Sequence, residues 1–189
     1  MGYMTDQVNV TLPIFKFSLP NIITKDECKQ FRNNFPTCNT SNVKAWHSNY
    51  FTHELTNEFD PLIDVTLSKC RDVSKDFYCL PVMGSFYYRC DNLWLAMYKE
   101  NDYTKIHHHF PSVWASCYYV DVNDDCSPIT FGNKDDEHII QPENGMLLIW
   151  NGIVPHMVAP TNKKRTCICM NISMRSKRKA PTDSIPIFY

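Results

Sequence analysis

The spacing of apolar residues divides the chain into a helical part and a longer part rich in strands. The first apolar segment, VNVTLPIFKFSLP, predicts an edge strand, because Pro13 and Pro20 limit its backbone pairing. A capping-box pattern follows at Thr24–Glu27, and the apolar residues after it predict a short amphipathic helix. From Asn57 to Phe77 apolar residues recur at helical spacing, which predicts a second helix.

Beyond residue 84 short apolar runs follow one another, each bounded by turn residues. The runs are SFYYR, LWLAMYK, TKIHHH, VWASCYYVDV, PITF, EHII, GMLLIW, HMVAP and RTCICMNIS. Strands this dense predict a mainly β fold with N-terminal helices, in which about eight core strands form a jelly roll, or double-stranded β-helix. We expect a single domain over residues 1–189. Residues 1–83 hold the first strand and the supporting helices, 84–174 form the core, and 175–189 are a tail.

Composition and charge exclude several classes of protein. Hydrophobic residues make up 43% of the 189 residues and charged residues 21%, which is typical of a soluble globular domain. The formal net charge of −1 gives no overall attraction to nucleic acid or to acidic lipid. No stretch reaches the roughly 20 apolar residues of a membrane span, and no secretory signal precedes the first strand. We therefore expect a cytoplasmic protein.

Nine cysteines are scattered along the chain without a CxxC pair. Their odd number and their positions in apolar runs predict reduced thiols that mostly fill the core, rather than disulfides or a zinc ribbon. Near the C-terminus four basic residues cluster: Arg175, Lys177, Arg178 and Lys179. They indicate either an arm for nucleic acid or a partner, or a solvated tail. The lack of aromatic residues between them favours the tail.

The run KIHHHFP at residues 105–111 is the strongest candidate for chemistry. On a strand, alternate side chains share a face, so His107 and His109 would point one way and His108 the other. Two neutral imidazoles on one face can chelate iron, zinc, copper or nickel. His156 begins a later predicted strand and can supply a third ligand from across the barrel. Arg165 follows at the head of an apolar strand, where a buried cation needs an anionic partner such as a carboxylate.

Each of these residues alone is more often structural than functional. A histidine run is frequently a polar loop tip, a single histidine is frequently a hydrogen-bonded core residue, and an arginine beside two lysines is frequently a surface charge. Their order along the chain favours a site, because the HxH pair, the distal histidine and the arginine all fall at strand positions.

This ordered set resembles the Fe(II)- and 2-oxoglutarate-dependent oxygenases, in particular prolyl-hydroxylase-like and small microbial and phage members. Four segments carry the resemblance, and together they span residues 93–173. They are LAMYKENDYTKIHHH, VWASCYYV, GMLLIWNGIVPH and VAPTNKKRTCICMNIS. The family implies a double-stranded β-helix that holds iron through a triad of protein ligands.

The resemblance also implies roles for individual residues. His107, His109 and His156 would hold Fe(II), and Arg165 would pair with the far carboxylate of 2-oxoglutarate. Tyr98 matches a position that contacts this cosubstrate in relatives, and Tyr103 would line the same pocket. No catalytic residue beyond the metal ligands is implied.

The implied reaction uses dioxygen to hydroxylate a C–H bond of a peptidyl or small-molecule substrate, with proline as one candidate, and releases succinate and CO₂. A membrane partner is not implied, and nucleic acid is a disfavoured substrate because no basic groove precedes the tail.

The sequence departs from the commoner family pattern at three places. His109 stands where many relatives carry aspartate, and Cys167 stands where many carry a hydroxyl residue. The loop before the histidines has Glu100-Asn101-Asp102 where a glycine is common. Two alternatives therefore stay open. A cupin-type metal enzyme without 2-oxoglutarate also uses HxH, although Val113 and Trp114 occupy the positions of its usual glutamate. A non-enzymatic jelly-roll module would bind neither iron nor 2-oxoglutarate tightly.

Overall fold

A computed structural model of the chain describes residues 12–19, 22–37, 42–77, 86–132, 136–160 and 163–177. Within these ranges it contains two α-helices, α1 (Lys25–Asn34) and α2 (Asp60–Asp76). The strands are β1 (Ile14–Ser18), β2 (Val43–Lys44), β3 (Trp46–His47), β4 (Phe86–Tyr98), β5 (Tyr103–His107), β6 (Trp114–Val122), β7 (Ile129–Phe131), β8 (His138–Ile140), β9 (Met146–Asn151), β10 (His156–Val158) and β11 (Arg165–Ser176).

The strands form two antiparallel sheets that face each other, as a jelly roll requires. The six-stranded major sheet has the order β1-β9-β6-β11-β4-β3, and the five-stranded minor sheet has the order β2-β5-β10-β7-β8. Eight of these strands, β4 to β11, lie after residue 84. The predictions of a mainly β fold with N-terminal helices and of about eight core strands are confirmed.

One predicted boundary inside the core is wrong. The runs SFYYR and LWLAMYK form the single strand β4 instead of two strands separated by a turn. Asn92 pairs with Asn171 and Cys90 pairs with Ile172, so Asp91 is an extra residue, a β-bulge. Arg175 binds the Asp91 carboxylate at 3.1 Å, which satisfies the charge at the bulge.

The N-terminal elements behave largely as their sequence predicts. Strand β1 pairs only with β9 and lies at the edge of the major sheet. The capping box of α1 is present: the Thr24 side chain accepts from the Glu27 amide, and the Glu27 carboxylate accepts from the Thr24 amide at 2.6 Å. Helix α2 begins at Asp60, three residues later than predicted, with Pro61 in its first turn.

Both helices cover the outer face of the major sheet. Their apolar side chains, which include Phe31, Leu62 and Val73, form one core with residues of β4, β6, β9 and β11. A second core lies between the two sheets and is formed by aromatic, aliphatic and thiol side chains. The major sheet is therefore buried on both faces, one against helices and one against the second sheet.

The cysteines that the structure describes are free thiols, as predicted. Seven lie within the described ranges, all of them free and at least partly buried, while Cys38 and Cys79 lie outside. Of the basic cluster near the C-terminus, Arg178 and Lys179 also lie outside the described ranges. Over the part of the chain that is described, no helix is long and apolar enough to cross a membrane.

Candidate active site

A cavity of about 350 Å³ lies between the two sheets. Histidines border it from the side of β5 and β10, while an arginine, a tyrosine and three cysteines border it from the major sheet. Its volume is in the range of sites that bind small molecules.

Three imidazoles meet at one end of this cavity. His107 is the last residue of β5 and His156 the first of β10, and the two are register partners in the minor sheet. The rings of His107 and His156 are 4.3 Å apart between centroids. Nε2 of His109 lies 3.3 Å from Nε2 of His156. One nitrogen of each ring lies within 4.8 Å of the others, so the structure brings together the three histidines that the sequence grouped.

The expectation that His109 lies on the same strand as His107 is wrong. Strand β5 ends at His107, and His109 opens a turn in which the Ser112 amide donates to the His109 carbonyl at 2.8 Å. The His109 amide donates to the Gly152 carbonyl at 2.7 Å. A Cβ on Gly152 would lie 2.1 Å from the Ser112 carbonyl oxygen, so only glycine permits this close approach. The Asn151-Gly152 turn thus fixes the turn that carries His109.

The local hydrogen bonds point metal-binding nitrogens into the cavity. Nδ1 of His107 lies 2.9 Å from the Lys105 carbonyl, and Nδ1 of His156 lies 3.3 Å from the Val154 carbonyl. A carbonyl oxygen only accepts, so in both rings Nδ1 carries the proton and Nε2 presents a lone pair. Metal-binding histidines usually make this kind of second hydrogen bond.

Burial keeps the three imidazoles neutral. It lowers the pKa of His107, lowers the pKa of His109 to about 3, and lowers the pKa of His156 well below its ordinary value. In each case the loss of hydration is the largest cause, and repulsion between the neighbouring rings adds to it. Neutral imidazole is the form that binds a metal ion.

Arg165 borders the same cavity, and among the described residues its guanidinium has few polar partners. It is 2% exposed, and one Nη donates to the Ser127 carbonyl at 3.1 Å. Its Nε is buried and has no hydrogen-bond partner among the described residues, where no carboxylate forms an ion pair with it either. The guanidinium stacks over the ring of Tyr98 at 4.4 Å. A buried cation in this state is suited to an anionic ligand.

Tyr98 faces Arg165 because the two are register partners on β4 and β11. Its hydroxyl forms a 2.6 Å hydrogen bond with the hydroxyl of Thr104, and both residues line the cavity. Burial raises the pKa of Tyr98 well above its ordinary value, so the phenol stays protonated.

Tyr103, which the resemblance placed in this pocket, does not line the cavity; its neighbour Thr104 does. The reason is a β-bulge in β5. His156 pairs with His107 and Val158 pairs with Thr104, so Met157 of β10 alone opposes two residues of β5, Lys105 and Ile106. The extra residue reverses the alternation and turns Thr104 inward.

Sequence reasoning also missed His47. It lies on the two-residue strand β3, is 1% exposed, and stacks on Trp94 at 5.8 Å between ring centroids. Its Nδ1 lies 2.6 Å from the Ser48 carbonyl, and the ring borders the cavity. No periodicity signals so short a strand. Trp94 and Trp150 also border the cavity.

The histidines and Arg165 each fit a particular kind of ligand. Three neutral imidazoles suit iron and other borderline transition metals. On the side of the major sheet, Nε of Arg165 has no hydrogen-bond partner among the described residues and suits the carboxylate of a dicarboxylic acid. Besides that nitrogen, Trp150 Nε1 and Asn171 Oδ1 are buried polar atoms without partners in the described ranges. A metal ion and a dicarboxylate such as 2-oxoglutarate therefore fit the residues present.

Solved structures share this fold at low sequence identity. A prolyl-4-hydroxylase from Pseudomonas putida superposes with a TM-score of 0.62 and 14% identity, over 87% of this chain and 94% of that one. A viral collagen prolyl hydroxylase from Paramecium bursaria Chlorella virus-1, solved with 2-oxoglutarate, gives 0.56 and 12%, over 84% and 94%. A Trichoplax adhaerens prolyl hydroxylase, solved with a hypoxia-inducible-factor peptide, gives 0.56 and 17%, over 85% and 83%.

Comparison of the sequence with known proteins bears on the region of the site. No curated protein sequence matches the chain at a significant level. Residues 92–172 do match a family model described as a putative 2OG-Fe(II) oxygenase. This range contains all three histidines and Arg165. The region that carries the candidate site thus matches the model of the Fe(II)- and 2-oxoglutarate-dependent oxygenases, and this match indicates an enzyme with Fe(II) and 2-oxoglutarate as its cofactors.

Proposed function

We propose that this enzyme hydroxylates a C–H bond of a peptidyl or small-molecule substrate, and that proline-containing peptides are the first class to test. The observation that carries the proposal is the pairing of two features in one cavity. Three neutral imidazoles converge on its wall, and a buried arginine that has no carboxylate partner within the described ranges borders the same space. A purely structural histidine cluster would not need this arginine.

In this proposal His107, His109 and His156 hold the iron. The carbonyls of Lys105 and Val154 orient the His107 and His156 rings through their Nδ1 protons. Arg165 binds the far carboxylate of 2-oxoglutarate, and Tyr98 with Thr104 supports that end of the cavity. When bound, iron would activate dioxygen as the oxidant, and 2-oxoglutarate would be oxidised to succinate and CO₂, so that one oxygen atom enters succinate and the other enters the substrate.

Other residues of the chain exclude water and guide the substrate. Trp94 and Trp150 pack beside His109, with centroids 5.8 and 6.1 Å from its ring, and form a dry wall next to the metal end. Phe110, which is 68% exposed, borders the cavity in the turn after the histidines. An exposed aromatic ring at a cavity mouth supports a substrate with apolar groups.

The peptidyl assignment is supported by the superposed structures. Those described as prolyl hydroxylases cover most of this chain, and one of them was solved with a bound peptide. The Phe110 rim provides an apolar surface on which a proline ring can pack.

The site is tested by anaerobic titration of the protein with Fe(II) and then 2-oxoglutarate. We expect a visible metal-to-ligand absorption band that appears only when both are present. In Arg165→Ala iron binding should persist, while 2-oxoglutarate should bind about 30-fold or more weakly, because one partner of a buried charge pair is lost. Arg175→Ala is the matched control, since Arg175 lies on the same strand but is exposed and pairs with Asp91.

Two results would contradict the assignment. Unchanged 2-oxoglutarate affinity in Arg165→Ala would remove that residue from the site, and failure of the wild-type protein to bind iron would remove the histidines. Once the band is established, succinate release should be compared between proline-containing peptides and free amino acids. The product must gain one oxygen atom by mass spectrometry, and stimulation by free amino acids alone would reject the peptidyl assignment.

A further inference from the structure

Three cysteines converge on the cavity wall formed by the major sheet. Cys167 and Cys169 are two residues apart on β11 and share a face, and Cys117 on β6 is the register partner of Cys169. Their sulfur atoms all lie within 4.8 Å of one another. All three residues line the same cavity as the histidines and Arg165.

Core packing alone does not account for this arrangement. A single buried cysteine behaves as a small apolar residue, but here three thiols turn their sulfur atoms toward one point. No disulfide joins them, and all three are free. Cys169 is only partly buried, so a small ion in the cavity can reach the cluster.

The distances match those of a metal bound by several thiolates. A metal–sulfur distance of about 2.3 Å places the sulfur atoms of bound thiolates roughly 4 Å apart, whether the angles are trigonal or tetrahedral. Thiols that already lie within 4.8 Å of one another need only small side-chain rotations to reach this spacing. Thiolates are soft ligands that select Cu(I) and Zn(II) over harder ions.

The surroundings favour deprotonation of one thiol of the three. Burial raises the pKa of Cys117 well above its ordinary value, and hydrogen bonds with Cys117 and Cys167 raise the pKa of Cys169 in the same way. Hydrogen bonds from Cys117 and Cys169 lower the pKa of Cys167 well below its ordinary value, and the positive charge of Arg165 contributes in the same direction. Metal binding then requires each thiol to release its proton to solvent as a sulfur–metal bond forms, without electron transfer. The resulting negative charge lies beside Arg165, which has no carboxylate partner among the described residues.

We propose that Cys117, Cys167 and Cys169 form a second metal site that binds one Cu(I) ion, and that this ion and 2-oxoglutarate exclude each other. Cu(I) is preferred to Zn(II) because zinc usually takes four ligands, and the cluster in the described part of the chain contains three. The exclusion rests on the proposed function. Cys167 is two residues from Arg165 on the same face of β11, so an occupied thiol site and the cosubstrate share one part of the cavity.

The thiol site is tested first, without iron or 2-oxoglutarate. Metal-free protein is titrated anaerobically with Cu(I) buffered by a competing chelator, and the ultraviolet sulfur-to-copper absorption is followed. We expect one ion per chain. Copper binding should weaken by at least about 100-fold in each of the variants Cys117→Ser, Cys167→Ser and Cys169→Ser. Loss of a metal ligand costs more affinity than loss of a hydrogen bond to a ligand, which already costs about 10- to 100-fold. Cys126→Ser is the matched control, because Cys126 is equally buried but outside the cluster.

Binding through the histidines is separated by a second variant. His156→Ala should keep the sulfur-to-copper absorption. Equal affinity in the cluster variants and in Cys126→Ser, or loss of the signal in His156→Ala alone, would overturn the thiol site. Circular dichroism of each variant establishes that it is folded, and Cys169→Ser, at the least buried position, keeps the test decisive if the other two unfold.

Exclusion is then tested on protein loaded with Fe(II) and 2-oxoglutarate. One equivalent of Cu(I) should bleach the visible band of the wild type but not that of Cys169→Ser. If copper binds and the band stays, the exclusion is wrong while both sites stand. If no band ever forms, the proposed function fails, and the copper titration still decides the thiol site.

Discussion

The two faces of strand β11 differ sharply in chemistry although they alternate residue by residue. Ile168, Met170 and Ile172 point to the helices and are completely buried in the apolar core. Arg165 and its alternate neighbours point to the cavity and carry a cation, two thiols and an amide. A single strand therefore contributes to stability on one side and to ligand binding on the other.

This difference shows how a small jelly roll tolerates a polar interior. The helix face supplies close apolar packing, which stabilises the strands through burial. The cavity face keeps buried polar atoms without partners, such as Arg165 Nε and Trp150 Nε1 among the described residues. Such atoms destabilise the empty fold, and bound ligands offset the cost. Changes on the two faces should therefore have separable effects.

The largest effect is expected at the metal end. His156→Ala should lower iron affinity by at least about 100-fold and abolish turnover. Loss of a residue that only hydrogen-bonds to a metal ligand already costs about 10- to 100-fold in metal affinity, and this variant loses a ligand itself. Its unfolding transition should change little, since the side chain borders an existing cavity. Iron binding measured by calorimetry and unfolding measured by denaturant separate the two quantities.

His108→Ala is the control for that variant. His108 is exposed, and its Nδ1 accepts a hydrogen bond from the Phe110 amide at 3.2 Å. We expect iron affinity close to that of the wild type. Complete metal loss in His108→Ala would show that the ligands are assigned to the wrong histidines.

The next largest effect is expected on the helix face. Ile168→Ala should reduce the free energy of unfolding by about 2–5 kcal/mol, because it opens a void in a fully buried core. Ile168→Val should cost only about 0.5–1.5 kcal/mol. Below the unfolding transition, both should bind iron and 2-oxoglutarate as the wild type does. Weakened cosubstrate binding in folded Ile168→Ala would break the division between the two faces.

Much of this division could be predicted from the sequence. The alternation in RTCICMNIS indicates a strand with two different faces, and the order of HxH, distal histidine and arginine indicates which residues meet. The first signal is a local pattern on a strand, where a period of two fixes the side of each residue. The second rests on the order of the residues along the chain, because His109 lies in the turn after β5 and not on the strand. The capping box of α1 is likewise a local pattern, and the structure confirms it.

What could not be predicted depends on irregular or long-range structure. Because of the bulge in β5, the side chain of Thr104 borders the cavity and that of Tyr103 does not, and no residue of that strand signals the bulge. His47 reaches the cavity on a strand of only two residues. The meeting of Cys117 with Cys169 requires β6 to lie beside β11, a pairing across about 50 positions that turn chemistry does not encode.

A smaller effect is expected at the far end of the cavity. Tyr98→Phe keeps the ring over Arg165 but leaves the Thr104 hydroxyl without its 2.6 Å partner. Loss of this hydrogen bond should cost about 1 kcal/mol, or roughly fivefold in 2-oxoglutarate affinity, with unchanged iron affinity. Calorimetric titration of both ligands checks the prediction. Loss of iron binding would show that Tyr98 supports the whole cavity and not only its arginine end.

The smallest effect, and the finest test of the division, is expected at the helix cap. Thr24→Ala removes the side-chain half of the capping box and should lower stability by about 1 kcal/mol. For a chain of this size that corresponds to a melting temperature lower by about 2–4 °C. Thr24→Ser should restore most of the difference.

The residues just before α1 contact β6, because the Ile22 amide donates a hydrogen bond to the Tyr118 hydroxyl at 3.3 Å. Cys117 and Tyr119 lie on the opposite face of that strand. If the sheet isolates its two faces, Thr24→Ala should bind iron and 2-oxoglutarate normally; a shift in either affinity would show that the helix layer adjusts the cavity through β6.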